Sequence, residues 1–118
     1  IGISDGTASN RVNILYTTST NRIRAMVLSG GAIQFDDDFQ VTSILDFHKV
    51  ALKYKANDFA LWIDGTEQLT DSSGSAPIGL DNLSFNLGNG SSDFFGKCKA
   101  VAYFDEALTD EELQNLTS

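Results

Sequence analysis

Apolar and polar residues alternate along this chain in short runs, each closed by glycine, asparagine, aspartate or serine. That pattern marks half-buried strands joined by tight turns. "RVNILYTT" (11–18) and "RIRAMVLS" (22–29) read as strands, with Ser19, Thr20 and Asn21 between them as turn material. Gly30-Gly31 breaks the second run ahead of a short "AIQF", which predicts a hairpin. "FDDDF" (35–39) carries too much charge for a core strand and reads as a loop.

Residues 48–69, "HKVALKYKANDFALWIDGTEQL", give the clearest period of two. Val50, Leu52 and Tyr54 share one face, as do Phe59, Leu61 and Ile63. With Asn57-Asp58 as a two-residue turn, Tyr54 pairs with Leu61 and Leu52 with Ile63, apolar against apolar. Lys53 then lies opposite Trp62, and Lys55 opposite Ala60, on the other side of the sheet. Asp64-Gly65 is the dipeptide a type I′ hairpin turn favours, and continuing through it sets Glu67 beside Trp62. The prediction is a three-stranded meander whose register is set by its buried face. Residues 70–82 form a long loop holding the single proline, followed by strands over 83–90 and 94–105 split by "NGSSD". In the second of these, Cys98, Ala100, Ala102 and Phe104 take one face.

"ALTDEELQNLTS" (107–118) ends the chain differently. Thr109 is a good N-cap, Glu112 completes a capping box, and Leu108 and Leu113 stand where a hydrophobic staple needs them. Asp110, Glu111 and Glu112 place negative charge at the positive end of the helix dipole. So short a helix does not survive alone. Leu113 and Leu116 are therefore expected to dock on the sheet as a latch.

A length of 118 residues is one domain's worth of chain. Acidic residues outnumber basic ones by 16 to 8, for a net charge of −8. That sign disfavours nucleic acid and anionic lipid as partners, since both are held by clustered Lys and Arg. Apolar runs are too short to insert in a membrane. Cys98 is the sole cysteine, so no intrachain disulfide forms, and it reads as a buried thiol.

At these residues the chain resembles a known group. "HKVALKYKANDFALWIDG" followed by "FFGKCKAVAYFDEALTDEELQNLT" is similar to the concanavalin A-like lectin/glucanase group, in particular its laminin-G-like jelly-roll modules. His48, Tyr54, Trp62 and Asp64-Gly65 match the hairpin of those modules. Gly96, Tyr103, Leu108, Thr109 and Leu113 match their closing strand and helix. The opening "ISDGTASNRVNILYTT" looks like the edge found in versions from phage tail proteins and secreted bacterial proteins. The resemblance implies an all-β, two-sheet antiparallel jelly-roll sandwich with one short C-terminal helix, a single domain over residues 1–118. Such modules begin with a strand ahead of "SDGT". The chain is accordingly read as a module of a longer protein that lacks this strand, or takes it from another segment or chain. An uncovered sheet edge would be an aggregation liability.

The enzymes of this group use two carboxylates on one strand, about 5 Å apart for retaining hydrolysis. The four glutamates here are Glu67, Glu106, Glu111 and Glu112, and Glu67 has no acidic neighbour two residues away. The catalytic pattern is absent, and the expectation is no enzyme. His48 is the only histidine, so no two-histidine metal site forms, and a structural role is expected for it. Asp36, Asp37 and Asp38 are the candidate calcium ligands, carboxylates being suited to that ion; no other cofactor is implied. Asn82, Asn89 and Asn115 head glycosylation sequons, of use only in a eukaryotic secretory route.

What remains is binding. Trp62, flanked by Lys53 and Glu67 on the non-core face, suits stacking against a sugar, with the loop carrying Asn89 and Asp93 as a second contact region. Alternatively Trp62 is covered by lysine stems, a loop or the latch helix. The expected function is carbohydrate binding or adhesion in an extracellular or virion-surface protein of the tail-fibre kind. Its partners would be a glycan or cell-surface receptor and the other domains of the parent chain. The homotrimer is the assembly usual for fibre-borne modules. The alternative is a structural module that mediates subunit contacts without binding glycan.

Overall fold

The structure, a computed structural model, describes residues 1–118 in full. Its elements are β1 (Gly2–Ser4), β2 (Arg11–Tyr16), β3 (Arg22–Ser29), β4 (Ala32–Gln40), β5 (Val50–Lys55), β6 (Asp58–Ile63), β7 (Thr66–Asp71), β8 (Asn82–Ser84) and α1 (Asp110–Thr117). They form two antiparallel sheets, one ordered β4-β3-β2-β1-β8 and the other β5-β6-β7. The inner faces meet over a core that includes Val12, Ile23, Val27, Phe35, Phe59, Leu61 and Ile63. Phe35 of the larger sheet stacks on Phe59 of the smaller, with centroids 6.0 Å apart. Each such side chain contributes roughly 1.5–3 kcal/mol when fully buried. This is the two-sheet jelly-roll sandwich with one C-terminal helix that the sequence leads one to expect.

The meander forms, with its pairing displaced by two residues. Val50 pairs with Ile63, Leu52 with Leu61, Tyr54 with Phe59, and Lys55 with Asp58. The turn is centred on Ala56 and Asn57, because Asn57 takes the left-handed conformation at φ 59°. It is fixed there by the 70–82 loop: the Asn57 N–H donates to the Gly74 carbonyl at 2.9 Å, and the Gly74 N–H donates to Asn57 Oδ1 at 3.1 Å. A shift of two leaves every side chain on its expected face. Lys53 therefore lies opposite Ala60, and Ala51 opposite Trp62. Asp64 and Gly65 turn the chain with φ 51° and 79°, and Glu67 does pair with Trp62.

"FDDDF" is not a loop but the middle of β4. Its charge is tolerated because β3 supplies the opposite sign. The Arg24 guanidinium makes a bidentate contact with Asp36, and Arg22 pairs with Asp38. Opposite charges across a ladder stabilise it, where counting charges on one strand alone predicts otherwise. Residues 94–105 depart the other way. They alternate like a strand yet run as irregular exposed chain, for they join no ladder. Of the expected 83–90 strand only Leu83 and Ser84 pair, together with Asn82, against β1. Gly88, Gly90 and Ser92, all at positive φ, then turn the chain away. Cys98 is consequently exposed rather than buried.

β1 is a strand of three residues, Gly2–Ser4, lying between β2 and β8 and running into the first residue of "SDGT". Gly2 is required in it. A Cβ there would fall 2.0 Å from Asn13 Nδ2 and 2.9 Å from the Val12 carbonyl. The fully buried Asn13 amide thus occupies the space that a side chain at residue 2 would need.

The cross-strand pairing of β3 with β4 has a measurable counterpart. Arg24→Ala is expected to lower stability by about 0.5–1 kcal/mol, the range for a partly exposed pair. Chemical denaturation of Arg24→Ala, Asp36→Ala and the double variant as a thermodynamic cycle checks it; strict additivity would contradict the pairing.

Candidate functional site

Trp62, the penultimate residue of β6, points away from the sandwich core, and that face is closed by α1. The helix begins as predicted. Thr109 Oγ1 accepts from the Glu112 N–H at 3.3 Å, and Glu112 Oε2 accepts from the Thr109 N–H at 2.8 Å. Those bonds to Thr109 hold the Glu112 carboxyl below its ordinary pKa. Leu113 then packs on Ala60 and Trp62, with Leu108 and Ala51 beside them. Leu116, expected to dock too, is 43% exposed. The inward positions are instead Leu113 and Thr117, four residues apart and so on one helical face. Thr117 Oγ1 donates to the Leu113 carbonyl at 2.7 Å and accepts from the Gly65 N–H at 3.1 Å, tying the helix to the β6–β7 turn.

The open sugar platform expected at Trp62 is therefore the seat of the latch. The tryptophan is 7% exposed, and its indole N–H has no acceptor. Lys53 is engaged as well: its ammonium lies 2.8 Å from Asp58 and 3.2 Å from Asp110. Burial works to lower the pKa of Lys53, but its two carboxylate partners outweigh that, and the net direction is upward. Lys53 thus straps the β5–β6 hairpin to the first residue of α1. Glu67 remains exposed at the edge.

The aspartate triplet does not converge on a point. Asp36 and Asp38 face Arg24 and Arg22, while Asp37, between them, projects from the opposite side of β4 as strand alternation demands. The bond to Asp36 in turn raises the pKa of Arg24. Two of the three carboxylates expected as calcium ligands are thus cross-strand partners of cations. No group of three or more His, Cys, Asp or Glu side chains is arranged to hold a metal.

Asn89 and Asp93 lie far along the chain from Trp62, in the loop that follows β8. Asn89 Oδ1 accepts from the Ser91 N–H at 3.1 Å and from its hydroxyl at 2.6 Å, and the Leu87 N–H donates to the Ser91 carbonyl at 3.0 Å. The loop closes where the Phe94 N–H donates to the Phe85 carbonyl at 2.7 Å. This brings Phe85 and Phe94 together, 6.2 Å between centroids, with Tyr16 5.5 Å from Phe94. Beside them opens a recess of about 580 Å³, lined by Phe85, Phe94, Gly96, Cys98, Lys99, Ala100 and Val101. The sequence placed both phenylalanines in strands; the glycines at 88, 90 and 96 were the signal that the chain folds back.

One further polar arrangement lies at the start of β5. His48 Nδ1 is 2.6 Å from Asp64 Oδ2, and Nε2 is 2.8 Å from the Ser43 carbonyl. Toward the other end of β5, burial and a hydrogen bond to Tyr103 push the Tyr54 phenol above its ordinary range.

With this geometry in place, comparison with known proteins is informative. A laminin-G family model, described as the concanavalin A-like lectin/glucanases superfamily, matches residues 1–114. Among solved structures, a fragment (residues 221-444) of an S-layer domain-containing protein from Clostridium thermocellum is similar, with a TM-score of 0.53 at 15% identity. The similarity covers 100% of this chain and 61% of that one, and at such identity it speaks to the fold alone. No curated protein matches the chain. The chain belongs to the concanavalin A-like lectin/glucanases superfamily, as a laminin-G-like domain.

Removing the contact that covers the only tryptophan has an optical consequence. Leu113→Ala is expected to cost about 2–4 kcal/mol, as buried leucine truncations do, and to shift Trp62 emission to the red with stronger acrylamide quenching. Unchanged emission and stability would show that the helix does not cover Trp62.

Proposed function

We propose that this laminin-G-like domain is a non-catalytic recognition module that binds a carbohydrate chain. The recess beside Phe85 and Phe94 carries the reading. It joins apolar ring surface, suited to the C–H face of a sugar, to the Lys99 side chain, suited to hydroxyls, and Phe94 follows directly on the polar loop of Asn89 and Asp93. Trp62, covered by α1, and Lys53, paired with Asp58 and Asp110, hold the latch closed in this reading and make no contact with ligand. The absence of catalysis is supported by the carboxylates. Glu67 shares β7 only with Asp71, four residues away, and Glu112 is held by its own N-cap.

An extracellular or virion-surface setting accords with this reading, and the similar solved domain comes from an S-layer domain-containing protein. A trimer, and contact with the other domains of a parent chain, are part of the same proposal. A second reading has its own observation: Leu45, Ile78 and Phe95 are each more than four-fifths exposed. Exposed apolar side chains of that size suit an assembly module that buries them against another subunit.

A glycan array probed with the wild type, Phe94→Ala and Trp62→Ala separates the two. Binding through the recess predicts hits that Phe94→Ala weakens about tenfold, equal to about 1.4 kcal/mol. Trp62→Ala should lower stability more than affinity. Silence across the array, together with a concentration-dependent rise in mass by light scattering, supports assembly instead.

A further inference from the structure

His48 is the only histidine in the chain, and its ring is almost enclosed, with 14% of the side chain exposed. Both ring nitrogens face acceptors: the Asp64 carboxylate at 2.6 Å and the Ser43 carbonyl at 2.8 Å. Neither a carboxylate nor a carbonyl has a proton to give. A neutral imidazole carries one N–H and can satisfy only one of them, whereas an imidazolium satisfies both.

The two acceptors belong to different parts of the fold. Asp64 is held in the β6–β7 turn, where its Oδ1 accepts from the Lys49 N–H at 2.9 Å and its own N–H donates to the Lys49 carbonyl at 3.0 Å. The next residue, Gly65, donates to Thr117 of the latch helix. Ser43 lies in the 41–49 connection, where its carbonyl also accepts from the Asp46 N–H at 3.2 Å and its hydroxyl accepts from the Leu45 N–H at 3.3 Å. That connection displays Leu45, 91% exposed, and Phe47, whose ring lies 3.9 Å from the Lys99 ammonium.

We propose that His48 is a protonation-controlled clasp. Charged, it pins the 41–47 connection to the β6–β7 turn; neutral, it releases one of the two. The carboxylate is the stronger acceptor, so the remaining N–H stays on Nδ1 with Asp64. Nε2 then turns a lone pair toward the Ser43 carbonyl, and the segment bearing Leu45 and Phe47 loosens beyond the bonds that Thr42 and Ile44 keep to Asn21. The charged groups around the ring agree with this. Asp64 and Asp46 both favour the imidazolium, while the Lys49 ammonium is directed away to the C-terminal Ser118. Burial opposes the charge, and the acceptors outweigh it, so the pKa of His48 lies above its ordinary 6.5. A raised folded pKa means that the clasp contributes fully below 6.5 and is lost as pH rises through the folded value.

The test is a pH titration of the whole domain by nuclear magnetic resonance, where one imidazole gives one unambiguous signal. The expected midpoint lies above 6.5 in the wild type and falls in Asp64→Asn. Amide exchange at Leu45 and Asp46, corrected for its intrinsic pH dependence, should rise several-fold across that midpoint. In His48→Gln it should stay flat, which separates the clasp from the Ile1 amine and the Cys98 thiol. Asp64→Asn keeps a side chain that suits the turn and reads the clasp even where His48→Gln fails to fold. A wild-type midpoint at or below 6.5, or loop protection that does not change across it, overturns the proposal.

Discussion

β6 must be covered on both faces, and the rest of the molecule is arranged around that need. Phe59, Leu61 and Ile63 point into the sandwich while Ala60 and Trp62 point out of it, and all five are buried. The larger sheet closes over the first set. Only a second element can close over the other, and α1 is that element. The dependence runs both ways, because an eight-residue helix has too few internal hydrogen bonds to persist in water without a surface to lie on. Lys53 between Asp58 and Asp110, and Thr117 under Gly65, are the polar ties at the two ends of one apolar contact.

How far this was legible from residues alone differs by element, for physical reasons. Face assignments in the meander survive because a two-residue slip preserves parity. The slip itself had no local signal, since the bonds that fix Asn57 come from Gly74 in a later loop. The strand character of 32–40 was hidden by its acids, although Arg22 and Arg24 share the same two-residue spacing as Asp36 and Asp38. Alternation in 94–105 says which side chains would share a face; it does not provide a strand edge to bond. The capping box, by contrast, involves only residues three apart, and it appears as read.

The candidate residues divide in the same way. The orientation of Trp62 followed from period two, but its accessibility depended on where the last residues of the chain would settle. Lys53, Asp36 and Asp38 look available in the sequence because their partners stand apart from them along the chain. In the folded chain they are held by Asp58 and Asp110, Arg24 and Arg22. The recess at Phe85 and Phe94 is made by backbone closure between residues nine apart, and the glycines of the turn are its only trace in the sequence. The proposed function therefore rests on irregular chain carried by two regular sheets, the usual division of labour between loops and scaffold.

The fit of the Asn13 amide into the gap left by Gly2 has a genealogical consequence. Neither position is free to drift by itself: any larger residue at 2 collides, and any smaller one at 13 opens a hole above β1. Among descendants and cousins of this chain the two sites ought to change together or not at all. That coupling would leave a trace in an aligned set of sequences even where nothing else about the first strand is preserved.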